Sequence, residues 1–175
     1  SSTLMELENG DLLCTWFGGT REGAADVNIW LARKTKGGQW QTPVSIADGD
    51  GKTVFNPVLV QLRGGGIQIY YCSPDIDTGQ VITSSDNGHT WSKPEQLPKG
   101  FVGPIVNKPV YMDDGTILAG SSLQGKPGKR IHVERSIDNG KTWTKIGPIS
   151  DPAYTKYKII QPAILVHSQQ RLQIL

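Results

Sequence analysis

Apolar residues in this chain come in short runs broken by turn formers, and none of the runs follows helical spacing. Leu12-Leu13-Cys14-Thr15-Trp16, Ile67-Gln68-Ile69-Tyr70-Tyr71 and Thr116-Ile117-Leu118-Ala119 each follow a turn: Asn9-Gly10-Asp11, Arg63-Gly64-Gly65-Gly66 and Asp113-Asp114-Gly115. β-branched and aromatic residues crowd these runs, so each predicts a strand. Before each of the last two turns a proline opens another strand, Pro57-Val58-Leu59-Val60 and Pro109-Val110-Tyr111-Met112, and Pro162-Ala163-Ile164-Leu165-Val166 repeats the pattern. A third strand is expected at Asn28-Ile29-Trp30-Leu31-Ala32, Gln80-Val81-Ile82-Thr83 and Arg130-Ile131-His132-Val133-Glu134. A fourth is expected to begin at Thr90-Trp91-Ser92 and at Thr142-Trp143-Thr144.

Between the third and fourth strands one signature recurs, Ser-x-Asp-Asn-Gly-x-Thr-Trp, at Ser84–Trp91 and Ser136–Trp143. The two tryptophans are 52 residues apart, and Trp40 lies 51 residues before Trp91, behind the decayed copy Thr35-Lys36-Gly37-Gly38-Gln39-Trp40. A fixed period near fifty residues marks stacked copies of one supersecondary unit. Four short strands per unit give an all-β fold, the outline of a β-propeller. The repeats predict one partial propeller of about three and a half four-stranded blades: about 4–46, 57–97, 109–149 and the start of a fourth at 162–175. Propellers close with roughly four to eight blades. An incomplete ring leaves apolar faces uncovered, so the expectation is a fragment of a longer protein or a homo-oligomer that completes the propeller.

Composition narrows the partners. The net charge is only +2 with no basic run, so neither nucleic acid nor a membrane surface is an expected partner. The apolar stretch at 162–166 is far shorter than a bilayer span, and no charged-then-apolar leader opens the sequence. Glycine (21) and proline (11) are plentiful, in keeping with many turns. Cys14 and Cys72 sit in strand-like runs without metal spacing and are expected to be buried free thiols. His89, His132 and His167 fall one per repeat, so no metal site and no cofactor are expected.

The recurring signature is a turn device. Asp86 and Asp138 are placed to accept backbone N–H bonds, Gly88 and Gly140 to supply a positive φ, and Trp91 and Trp143 to pack between strands, with Ser84 and Ser136 opening each turn. The alternating ligands and closing Glu of a Ca²⁺ loop are missing. These turns resemble the Asp-boxes, or BNR repeats, of the sialidase superfamily. The segments Gly10–Gly23, Asn56-Pro57-Val58-Leu59, Gly103-Pro104-Ile105-Val106-Asn107-Lys108-Pro109 and Ile159-Ile160-Gln161-Pro162-Ala163 resemble its predicted-neuraminidase group. The resemblance implies a sialidase-type propeller and a carbohydrate ligand.

Propellers bind ligands at the mouth of the central channel. The loop Gly18-Gly19-Thr20-Arg21-Glu22-Gly23-Ala24-Ala25-Asp26 is expected there, glycine-rich and carrying two carboxylates and an arginine. Asp26 matches the place of the sialidase general acid, and Glu22 lies in a segment typical of the resembling group, so the resemblance implies that one of them donates the proton glycoside cleavage needs. A solvated polar turn would look the same. Ahead of the inner-strand prolines stand Asn56, Lys108 and Gln161, with Asn107 beside Lys108. Different polar groups on one repeated scaffold suit a polyhydroxylated or anionic ligand, with Lys108 as a point charge; the alternative is that they satisfy strand-end backbone groups. Sialidases grip their sugar carboxylate with three arginines, the first in a Phe-Arg-Ile-Pro segment that does not occur here. Tyr154 and Tyr157 have no evident activating Glu. The leading expectation is a sialidase-like, exo-acting glycoside hydrolase whose sugar need not be sialic acid. The alternatives are a non-catalytic carbohydrate-binding or protein-interaction propeller, and an inactive fragment.

Overall fold

Strands connected by turns and loops make up the described fold in a computed structural model covering residues 1–73, 78–123, 130–149 and 159–175. Tyr154 and Tyr157 lie outside the described residues. The first sheet holds β1 (Ser2–Glu6), β2 (Leu12–Gly18), β3 (Asn28–Lys34) and β4 (Val44–Ala47). The second holds β5 (Phe55–Gln61), β6 (Ile67–Cys72), β7 (Gly79–Ser84) and β8 (Glu95–Gln96). The third holds β9 (Val110–Tyr111), β10 (Ile117–Leu123), β11 (Arg130–Ser136) and β12 (Thr144–Ile149), and β13 (Ile164–Ser168) with β14 (Arg171–Ile174) forms a hairpin. Each sheet is an antiparallel meander in chain order.

The alternation of side chains explains how the sheets stack. On β6, Ile67, Ile69 and Tyr71 join Leu13, Ile29 and Leu31 of the first sheet in one buried cluster. Tyr70, pointing the other way as strand geometry requires, joins Val58, Ile117 and Trp143 in a second cluster against the third sheet. Met112, Leu118 and Val133 pack on Ile164 of the hairpin in a third. Residues of β1 and β5, with Lys108, Pro109 and Tyr111, line a shared cleft of about 400 Å³. This is the face-to-face stacking of propeller blades around an axis, and the ring is not closed. Val44 stays 55% exposed at one side and Leu172 42% at the other.

Three details depart from what the sequence predicts. The fourth strand of the second sheet starts at Glu95 and not at Thr90, because the Ser92 hydroxyl takes the Thr83 N–H at 3.0 Å and Pro94 has no N–H to pair. Trp40, Trp91 and Trp143 precede their fourth strands alike, but Trp143 is 7% exposed and Trp40 47%. Trp143 meets Tyr70 of the preceding sheet edge to face, with ring centres 6.0 Å apart, whereas no described sheet precedes Trp40. Cys14 and Cys72 are free thiols, half-buried and not fully so, on separate sheets.

Candidate functional site

The two ends of the sheets differ in chemistry. At one end lie the Asp-box turns. Asp86 Oδ1 accepts from the Thr90 N–H at 2.9 Å, the His89 N–H at 3.1 Å and the Ser84 hydroxyl at 2.7 Å, while Oδ2 accepts from the Thr90 hydroxyl at 2.6 Å. Asp138 repeats the set with Thr142, Lys141 and Ser136. Ser84 and Ser136 in turn accept from the Gly88 and Gly140 N–H groups at 2.8 and 2.9 Å. The Thr142 hydroxyl first and its N–H second hold the Asp138 carboxyl down at about 2, and Thr90 holds Asp86 well below the ordinary carboxylate range. Carboxylates so heavily bonded to their own turn are fixed acceptors and have no proton to give at neutral pH.

At the other end are the starts of the inner strands and the β2–β3 loop. Both oxygens of Asp26 accept from Thr20, one from its N–H and one from its hydroxyl, each at 3.0 Å, so Asp26 cinches the loop across its neck. Arg21 and Glu22 are exposed at the loop's tip. Phe17, at the loop's base, meets Phe55 edge to face with ring centres 5.4 Å apart, which sets the loop beside Asn56. The Asn56 side chain accepts from the Ser1 hydroxyl at 2.9 Å. Lys108 Nζ donates to the Leu4 carbonyl on β1, and partial burial pushes its ammonium below the usual lysine value. Asn107 Nδ2 donates to the Gln161 carbonyl at 2.9 Å. Asn56, Asn107, Lys108 and Gln161 are therefore brought to one rim by contacts that run from sheet to sheet.

The backbone at this rim is strained. Asn56 (φ 52°) and Gln161 (φ 57°) are left-handed immediately before prolines, and Val106 (φ 62°) is left-handed two residues before Lys108. Each such residue costs roughly 1–2 kcal/mol, and β-branched Val106 is an outlier for its type. Strain of this kind collects where a site needs side chains in fixed positions. Among the described residues, no three His, Cys, Asp or Glu side chains converge on one point.

The BNR repeat-like domain matches residues 10–175. The chain belongs to the BNR repeat-like domain family. A sialidase from Paraclostridium sordellii is 28% identical over 127 residues, 72% of this chain but 26% of that protein, so the chain spans about a quarter of this curated relative. A protein of unknown function from Dyadobacter fermentans superposes with a TM-score of 0.77 at 16% identity, over 94% of this chain and 57% of its own. A Trypanosoma rangeli sialidase in complex with sialic acid superposes with a TM-score of 0.71 at 13% identity, over 99% of this chain and 33% of its own. These structural likenesses carry the fold: an all-β propeller of sialidase type.

Sequence reading of this BNR chain passed over one residue of the site's framework. Glu134 is fully buried, and its two oxygens accept from the Val102 N–H at 3.0 Å and the Gly103 N–H at 2.7 Å. Its Oε1 also meets His132 Nε2 at 2.8 Å. The carboxylate thereby pins the segment that carries Asn107 and Lys108 to the rim. A signal was present: strand register makes Glu134 the counterpart of Ile82 and Ala32, so a charge stands where two BNR repeats are apolar.

Proposed function

We propose that this BNR chain forms part of a sialidase-like glycoside hydrolase acting on a terminal sugar, with the β2–β3 loop supplying the proton donor. The observation that carries the reading is the shared rim: an exposed loop with Arg21, Glu22 and Asp26 stands beside inner-strand starts bearing Asn56, Asn107, Lys108 and Gln161. Asp26 is committed to Thr20, while Glu22 is exposed at the loop's tip. Of the two carboxyl groups, Glu22 is thus freer to reach a leaving-group oxygen, and Asp26 to keep the loop in shape. Arg21 and Lys108 add positive charge suited to an acidic sugar.

The test is release of the aryl group from a panel of aryl glycosides, acidic sugars included, by the whole protein. Loss of the acid group is expected to lower kcat/KM by about 10²–10⁴-fold in Glu22→Gln or Asp26→Asn. Turnover untouched in both variants would reject the assignment. A second reading, sugar binding without turnover, is favoured by the commitment of both Asp26 oxygens to Thr20, which holds that carboxylate within its own loop. Glycan binding that survives both substitutions, with no hydrolysis by the wild type, would select it.

A further inference from the structure

Each Asp-box turn of this chain seats in a socket on the sheet before it. The first sheet's socket is built from Leu13, Arg33 and Asp11. Arg33 Nη1 pairs with Asp11 at 2.9 Å, and Nη2 donates to the Asn87 carbonyl at the tip of the incoming turn. Gly88 lies so close over the socket that a β-carbon there would stand 2.8 Å from Leu13 Cδ1. The second sheet's socket receives Asn139 and Gly140. Asn139 accepts from the Arg63 N–H at 3.3 Å and donates to the Arg63 carbonyl at 2.9 Å. A β-carbon on Gly140 would stand 3.0 Å from Gln68 Oε1 and from the Tyr70 hydroxyl.

Turn hydrogen bonds fix the corresponding positions on the third sheet. Leu7 N–H to Asp11, Leu62 N–H to Gly66 and Met112 N–H to Thr116 are the same bond in three repeats. Counting from them makes Leu13, Gln68 and Leu118 equivalent, and their ladder partners are Arg33, Thr83 and Arg135. The third sheet therefore repeats the leucine and the arginine of the first. Leu118 and Arg135 line an open cleft of about 450 Å³ with Asp113, Thr116, Ile146 and Gln169. No Asp-box turn among the described residues fills it, and the β13–β14 turn reaches its edge through Gln169. Ile146 on its wall is 50% exposed, and the adjoining hairpin leaves Leu165 and Leu172 exposed as well. Gln169 Oε1 accepts from the Asp113 N–H at 3.0 Å, the same backbone position that Asn139 takes on Arg63.

We propose that this cleft is a socket for one more Asp-box turn, carried by a further β-sheet of the same repeat type, with its Asn carbonyl on Arg135 and its glycine over Leu118. A second copy of the chain is the poorer occupant, because both of its Asp-box turns are already seated in its own sockets. The test is titration of the ¹⁵N-labelled chain with a cyclised hairpin peptide carrying Ser-Ile-Asp-Asn-Gly-Lys-Thr-Trp. Shifts are expected at Asp113, Leu118 and Arg135, with binding about tenfold or more weaker to Arg135→Ala, since a hydrogen bond from a charged donor is lost. A peptide with valine in place of its glycine is expected not to bind. Silence at those resonances with millimolar peptide would overturn the proposal, as would equal binding of the valine peptide. Dimerisation that moves the same resonances without peptide would overturn the choice of occupant.

Discussion

The Asp-box end and the rim end of these sheets are built on opposite plans. In the turns, the same residue types recur and make the same bonds: Ser84 and Ser136, Asp86 and Asp138, Thr90 and Thr142. At the rim, equivalent places hold Asn56, Lys108 and Gln161, and each makes a different contact or none of the same kind. Repetition marks what holds the sheets together, and variation on a fixed scaffold gives each rim position a contact of its own. Glu134 crosses the divide: it does not repeat, yet it is wholly interior and serves the rim by pinning Val102 and Gly103.

The largest effect tests that crossing. Glu134→Ala leaves two backbone donors and His132 without their acceptor, and is expected to cost about 3–5 kcal/mol in urea unfolding. A loss below 1 kcal/mol would mean the rim segment does not depend on this carboxylate. Next comes a pair of glycines. Gly88 (φ 79°) would put a β-carbon 2.8 Å from Leu13 Cδ1, while Gly23 (φ 85°) in the β2–β3 loop would meet nothing within 4 Å. Gly88→Ala should cost about 2–4 kcal/mol, strain plus overpacking, and Gly23→Ala only the strain, about 1 kcal/mol. Equal losses would erase the contrast between the two ends.

The smallest effect is a pH slope. Asp138 titrates at about 2 in the folded chain, whereas an unfolded Asp titrates near 3.9. A depressed folded pKa gives stability that is complete above the unfolded value and is lost as pH falls through the folded one. Tm should therefore drop between about pH 4 and pH 2, and Asp138→Asn should lower Tm at neutral pH while flattening that drop. An unchanged slope in the variant would place the acid sensitivity elsewhere.

The fold was legible because its signals repeat. Turn glycines, inner-strand prolines and tryptophans near a fifty-residue period forced four short strands per unit. Strand ends were less legible: Thr90-Trp91-Ser92 read as a strand start, but Ser92 makes one backbone bond to the Thr83 carbonyl, its hydroxyl takes the return N–H, Pro94 has none to offer, and the ladder resumes only at Glu95. The rim was legible as a set of positions, since the prolines number it. Its contacts were not, because the reach of Lys108 to the Leu4 carbonyl and of Asn107 to the Gln161 carbonyl spans sheets whose spacing no local pattern encodes. Glu134 was hidden for another reason. Its neighbours along the sequence explain nothing about it, and only alignment across ladder partners exposes the misplaced charge.

Lys108 joins the third sheet directly to the first, bypassing the one between them. A single flexible aliphatic stem thus acts as a cross-brace over the bore, and its length bears on how far the outer members can splay. Shortening that brace would cut the tie between the two outer sheets while leaving the strand pairing within each of them intact.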